Sequence, residues 1–177
     1  MPSSVKTDCA AGRLREYLGW IEVKSPRVMR KVIFVLFACW MAGHALADDA
    51  PWLTSVPEAL AQAKRENKLV LLNFTGSDWC VACKALDAEV LSKPEFNNYA
   101  KTNLVLVEVD FPLKKKQSAA QVEANEALQT KYKIEGYPTL IALKPDGASV
   151  WTNLGLFPGG PAALIAKFEE VRKKYLP

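Results

Sequence analysis

Two cysteines three positions apart, Cys80 and Cys83, carry the most evident chemistry in this sequence of 177 residues. They lie in Trp79-Cys80-Val81-Ala82-Cys83-Lys84, where a short apolar run ends and a stretch of helix formers begins. At such a junction the free N–H groups of the first helical turn, with the positive end of the helix dipole, stabilise a thiolate on the first cysteine. The second lies one turn further on and can close a disulfide. Cys80 is therefore the expected nucleophile and Cys83 the expected resolving thiol. Three plainer readings stand beside this one. A zinc site takes four ligands, usually Cys or His, and this segment offers two. A purely structural disulfide would close so short a loop that its entropic gain is small. Two inert buried thiols would pair in an oxidising compartment.

The elements that must position this pair follow from periodicity and turn chemistry. Ser55-Val56-Pro57-Glu58 has capping-box spacing with Pro in the first turn, and opens a helix through Leu60 and Ala63 to about Asn67. Leu69–Phe74 reads as a strand buried on both faces, bounded by Thr75-Gly76-Ser77-Asp78. A helix is expected from Cys80 to about Leu91 with Leu86 and Val90 on one side, and Pro94 restarts a short helical piece through Tyr99. Leu104–Val109 is a second interior strand, ended by Asp110-Phe111-Pro112, and Gln117–Lys131 is a helix carrying Val122 and Leu128. Thr139–Leu143 and Ser149–Thr152 flank the turn Pro145-Asp146-Gly147 and predict an antiparallel hairpin. A last helix, Pro161 to about Tyr175, presents Leu164, Ile165, Phe168 and Val171 on one face. Alternating strands and helices closed by a hairpin and a helix predict an α/β fold with a mixed central sheet and helices on both faces.

The N-terminal part reads as an address. Arg27, Arg30 and Lys31 precede the apolar run Val32–Ala42, and Ala45-Leu46-Ala47 supplies small residues for cleavage. This is the pattern of a secretory signal peptide. The expected division is an upstream extension over 1–28, a signal peptide over 29–47 starting at Met29, and a globular domain over 48–177. Retention as a membrane anchor is the weaker alternative, because a span needs about 20 apolar residues. After Ala47 the chain holds 16 basic and 16 acidic residues, so clustered positive charge gives no case for nucleic-acid binding. Cleavage also removes Cys9, Cys39 and His44, which leaves two cysteines and no imidazole in the mature protein. No metal and no cofactor are expected. Lys114-Lys115-Lys116 reads as a solvated loop, with docking of an acidic partner as the alternative, and Phe157-Pro158-Gly159-Gly160-Pro161 as a rigid turn into the last helix.

Trp79-Cys80-x-x-Cys83, followed 53 residues after Cys83 by Gly136-Tyr137-Pro138-Thr139, resembles the active site and cis-proline loop of the thioredoxin superfamily over about Trp52 to Tyr175. Within it, Asp78–Lys84 resembles the C-terminal thioredoxin-like domain of the periplasmic thiol:disulfide interchange protein DsbD. The Gly76-Ser77-Asp78 approach and Val109–Pro112 look more like stand-alone exported thioredoxin-like proteins. The resemblance implies a thioredoxin-like fold, a redox-active Cys80–Cys83 pair, a cis Tyr137–Pro138 bond against it, and a substrate strand pairing with the Tyr137 backbone. Trp79, Val81, Ala82, Tyr137 and Pro138 are the implied substrate-binding residues. Taken alone, an X–Pro bond is cis only a few per cent of the time, and Pro138 starting its strand in trans is the plain alternative.

Members of the superfamily often carry a buried acid in the strand before the motif, as proton acceptor for the second cysteine. Here that position is Asn73, which takes no proton. Asp87, four residues after Cys83, lies on the same helical face one turn on and matches an acidic position of the DsbD-like domain. It is the expected general base for Cys83; a solvated surface carboxylate is the alternative.

Lowering a cysteine pKa from about 8.5 to about 7 takes about 2 kcal/mol, near the limit of a helix-terminus effect, whereas the strongest oxidants of the class need about 7 kcal/mol. With Val81-Ala82 between the cysteines, no histidine nearby, and Asp78 opposing Lys84, a reducing potential of about −270 to −200 mV is expected. The reading is an exported, monomeric thiol:disulfide oxidoreductase, a disulfide reductase of protein substrates that works through a mixed disulfide and is recharged by an external electron donor, with a membrane-bound donor as one option. A disulfide oxidase or isomerase, and a redox-inactive binding module, are the alternatives.

Overall fold

A computed structural model describes residues 49–176. The signal peptide, its cleavage after Ala47 and the upstream extension fall outside the described residues. Ten elements follow in chain order: β1 (Trp52–Leu53), α1 (Val56–Glu66), β2 (Leu69–Thr75), α2 (Val81–Leu86), α3 (Pro94–Asn103), β3 (Leu104–Asp110), α4 (Ala119–Tyr132), β4 (Thr139–Leu143), β5 (Ser149–Leu154) and α5 (Gly160–Tyr175). The strands form one mixed sheet in the order β1-β3-β2-β4-β5, with β1 and β2 parallel to β3, and β2–β4 and β4–β5 antiparallel. Helices cover both faces, as the alternation of elements predicts.

Strand periodicity divides the core in two, because successive side chains point to opposite faces. Leu69, Leu71, Leu104, Leu106 and Leu140 meet Leu86, Phe96, Leu164 and Phe168 from α2, α3 and α5. Val70, Leu72, Phe74, Val105, Val107 and Ile141 meet Val56, Ala59 and Ala63 from α1, with Leu128 and Tyr132 of α4 packed at the edge. Each large side chain buried in this way contributes about 1.5–3 kcal/mol. All seven residues of β2 are buried, as expected of a central strand.

Local signals hold at most boundaries. The Ser55 hydroxyl accepts from the Glu58 amide with Pro57 in the first turn, and the Asp146 carboxylate accepts from the Ala148 amide at the hairpin, where Gly147 has φ +87°. Four features depart from the sequence reading. β1 was not anticipated, since two residues carry no periodicity. The helix after Cys80 is α-helical only to Leu86 and continues as a π-helical turn, Asp87–Leu91, closed by the Ser92 amide donating to the Asp87 carbonyl at 2.8 Å. Asn97, buried on α3, donates to the Leu91 carbonyl at 3.3 Å and accepts from the Ala50 amide at 3.2 Å, which fixes that wider turn against the chain entering β1. α3 runs to Asn103 rather than Tyr99, and in α4 Val122 faces outward while Asn125 is the buried residue.

Candidate active site

The site is built where β2 stops. The Gly76 carbonyl accepts from the Trp79 amide at 3.2 Å and the Cys80 amide at 2.8 Å, which turns the chain directly into α2. Gly76 is required there because a β-carbon would come within 2.7 Å of three atoms of the Trp79 indole. Ser77 is fixed by the end of β3: its amide and its hydroxyl donate to the two carboxylate oxygens of Asp110 at 2.8 and 2.6 Å. Asp110 is itself anchored, its carbonyl accepting from Asn125 at 2.8 Å and Gln117 at 3.2 Å.

The Asp78 carboxylate accepts from the amides of Leu113, Lys114 and Lys115 at 3.0, 2.7 and 3.1 Å. These amides, Leu113 foremost, hold its pKa below the ordinary carboxylate value. Lys84 does not meet that carboxylate; its ammonium donates to the Asp78 carbonyl at 3.0 Å. The lysine loop is likewise not merely solvated. Lys115 donates to the Ser77 hydroxyl at 3.0 Å and so belongs to the site.

Cys80 caps α2 from an extended backbone, and its sulfur accepts from the Cys83 amide at 3.1 Å. The two cysteines form a disulfide with Cα atoms 5.3 Å apart. Both are nearly covered, at 6% and 5% exposure, while Val81 beside them is 82% exposed and Trp79 41%. The sulfurs therefore sit in a shallow recess with an accessible apolar rim. Ala82 follows Val81 in the first turn of α2 and is half-buried.

The 136–139 loop completes that rim. Tyr137–Pro138 is cis, as the resemblance implies. The Pro138 carbonyl accepts from the Gly155 amide at 2.7 Å, and the Thr139 hydroxyl donates to the Gly136 carbonyl at 2.7 Å. Tyr137 packs on Trp79 and on Phe111, with its hydroxyl held by Gln129 at 2.9 Å. Burial raises the Tyr137 pKa, and the Gln129 bond opposes it. Trp79 is tied in turn by its indole N–H, which donates to the Phe111 carbonyl at 2.8 Å.

Behind Cys83 lies a polar cavity of about 350 Å³ lined by Asn73, Thr75, Cys83, Asp87, Glu108 and Lys115 among others. Asp87 stands exposed at its rim in the π-helical turn, with its carboxylate accepting from the Ser92 hydroxyl at 2.9 Å. The structure thus brings Cys80, Cys83, Trp79 and Tyr137 together, and sets Asp87 on the cavity behind them. Asp110, Phe111, Gln129 and Glu108 were missed by sequence reasoning. For Glu108 a signal existed, a single charge inside the otherwise apolar Leu104–Val109, two residues beyond Leu106 and so on the same face.

A strand-to-helix turn carrying a CxxC disulfide beside a cis-proline loop, on a mixed five-stranded sheet, defines a thiol:disulfide oxidoreductase of the thioredoxin type. The profile described as a thioredoxin-like domain matches residues 56–169, and the chain belongs to that family. It is similar to the Disulfide bond reductase DsbH of Chlamydia pneumoniae, 38% identical over 119 residues that span 67% of this chain and 71% of that protein. The solved structure of a DsbH oxidoreductase is similar at a TM-score of 0.67 and 35% identity, over 73% of this chain and 90% of that one. The reduced C-terminal domain of DsbD from Neisseria meningitidis is similar at a TM-score of 0.50 and 25% identity, over 66% and 94%.

Proposed function

We propose that the protein is an exported disulfide reductase in which Cys80 is the nucleophile and Cys83 the resolving thiol. The observation that carries the assignment is the Cys83 amide donating to the Cys80 sulfur at 3.1 Å, at the start of a helix and beneath an exposed rim. In the reduced enzyme this donor stabilises a Cys80 thiolate beneath that rim. The thiolate attacks a substrate disulfide, and a Cys80–substrate mixed disulfide forms as the first substrate sulfur leaves. Cys83 then attacks Cys80, the second substrate sulfur leaves, and the enzyme is oxidised by two electrons. Trp79, Val81, Ala82 and Tyr137, with Pro138 behind them, receive an extended substrate segment. An external electron donor restores the dithiol.

The reducing direction is supported by the apolar Val81-Ala82 between the cysteines, which adds no cation to the helix-terminus effect, and by similarity to the Chlamydia pneumoniae relative, a disulfide bond reductase. Export is supported by the signal-peptide pattern of Arg27–Ala47. Among the described residues no helix is long and apolar enough to cross a membrane.

Insulin reduction with dithiothreitol as donor, together with a reduction potential from a glutathione titration, tests this. Wild type is expected to accelerate reduction, Cys80→Ser to abolish it and Cys83→Ser to accumulate a mixed disulfide, with a potential of about −270 to −200 mV. Equal rates for wild type and Cys80→Ser would overturn the enzyme. A potential above about −150 mV would make it an oxidase or isomerase.

A further inference from the structure

We propose that Glu108 accepts and returns the proton of the Cys83 thiol during thiol–disulfide exchange, through the cavity it shares with Asn73. The inference rests on exchange chemistry at Cys80–Cys83, and not on its net direction.

Topology places the groups. In β3, Glu108 is in phase with Leu104 and Leu106, and in β2, Asn73 is in phase with Leu69 and Leu71, so both point to the face covered by α2. The parallel register pairs Asn73 with Glu108 directly. An amide on β2 and a carboxyl on β3 thus stand side by side on that face. Both line the cavity that reaches Cys83.

Asn73 adds an independent sign. Its Oδ1 is buried and has no hydrogen-bond partner. An orphaned acceptor of this kind costs about 1–3 kcal/mol. A protonated Glu108 carboxyl, or water admitted to the cavity, supplies the missing donor. An amide and an acid side by side thus form a site suited to holding one proton.

The charges facing Glu108 come from every neighbouring element: Asp110 on its own strand, Asp87 in the π-helical turn, Lys115 in the loop after β3, and Lys84 at the cavity wall on α2. Burial, then Asp110 and Asp87, raise the Glu108 pKa, and Lys115 opposes them. A carboxyl raised in this way is better matched to a thiol than an exposed one. Asp87, exposed and bonded to Ser92, acts on Glu108 through its charge and is a positioning residue.

The step balances. From the mixed disulfide, the Cys83 S–H proton passes by way of cavity water to the Glu108 carboxylate. The Cys83 thiolate attacks the Cys80 sulfur, the Cys83–Cys80 bond forms and the Cys80–substrate bond breaks. The substrate thiolate leaves with the electron pair and takes a proton from solvent. When a donor dithiol reopens the Cys80–Cys83 disulfide, Glu108 returns its proton to the leaving Cys83 thiolate.

The test is the pH profile, from pH 5 to 10, of oxidation of the reduced full-length protein by insulin or glutathione disulfide, for wild type, E108Q, E108D and D87N. E108Q is expected to slow the reaction at least about tenfold near pH 7. The deficit should close above about pH 9, where Cys83 ionises to solvent unaided. E108D should restore most of the rate, and D87N should shift the profile with a smaller loss. In parallel, infrared difference spectra of reduced against oxidised wild type should contain a carboxyl band that E108Q removes, a readout that does not depend on turnover. An E108Q profile superimposing on wild type, a D87N variant that alone reproduces the loss, or a redox difference spectrum without that band would overturn the proposal. A wild type that exchanges no disulfides would overturn the underlying reading as well.

Discussion

The indole of Trp79 stands edge-on to the ring of Tyr137, with centroids 5.8 Å apart and planes at 88°. The contact joins the cysteine turn to the cis-proline loop, two segments far apart in sequence, so both sides of the rim over the sulfurs are held as one unit. An edge-to-face pair of this kind contributes about 0.5–1.5 kcal/mol beyond its buried area. The indole N–H bond to the Phe111 carbonyl ties in a third segment, the chain just past β3. The rim therefore depends on Trp79 keeping one orientation.

Gly76→Ala should break that orientation. The added methyl group meets the indole, and a ring displaced from it loses both the Phe111 bond and the Tyr137 contact. A stability loss of about 1–3 kcal/mol is expected, as for overpacking elsewhere. Tryptophan fluorescence should shift with it, and insulin reduction should fall although both cysteines remain. An unchanged emission spectrum and rate would show that the indole has room to move.

Asp78→Ala removes the acceptor of three consecutive amides. Hydrogen exchange at Leu113, Lys114 and Lys115 should speed up by at least about fivefold, with little change in the sheet. The sign with pH is fixed by its lowered pKa: the folded state holds the carboxylate, so this contribution is present above the ordinary aspartate value of about 3.9 and is lost as pH falls through the lower folded value. Wild type should therefore acquire the loop exchange of the variant in acid. Amides that exchange at the same rate in both proteins at pH 7 would rule out the carboxylate as their anchor.

How much of this was legible beforehand varies with the range of the interaction that decides it. Leu69–Phe74, Leu104–Val109 and Thr139–Leu143 are apolar runs bounded by turn residues, and each became a strand within a residue. The cysteine pair needed only its spacing and the apolar run before it. The π-helical turn after Leu86 was not readable, because its register is set by Ser92 and by Asn97 on the next helix, not by Asp87–Leu91 themselves. The groups that donate to the Asp78 and Asp110 carboxylates lie more than thirty residues away in the chain, and nothing local predicts them. Glu108 was half-legible. Its charge in a buried strand was visible, but its place beside Asn73 required the register of β2 on β3.

Asn125→Ala tests whether the middle of α4 supports the site. Asn125 is 1% exposed; it donates to the Asp110 carbonyl and accepts from Gln121. Removing it should cost about 1–3 kcal/mol, the usual penalty for unpaired buried polar groups. Because Asp110 grips Ser77, the loss should reach the cysteine turn and slow disulfide exchange. Asn97→Ala, which unties the π-helical turn and the chain before β1, serves as the comparison. A similar thermal shift in both variants with exchange slowed only in Asn125→Ala would locate the coupling in the Asn125–Asp110–Ser77 chain; equal slowing would remove it.

Glu108→Gln should stabilise the protein at neutral pH. Burial first, then the charge of Asp110, raise the Glu108 pKa, so the folded state binds this proton more tightly than the unfolded chain does. The contribution is complete below the unfolded value of about 4.3 and is lost as pH climbs through the folded value, after which it stays constant. An amide of the same shape carries no such penalty. The melting temperature of Glu108→Gln should therefore exceed that of wild type at pH 7 to 8, and the two should converge near pH 4. If the variant instead melts lower at pH 8, Lys115 outweighs burial and the two carboxylates, and Glu108 is a paired surface charge rather than a proton store behind Cys83.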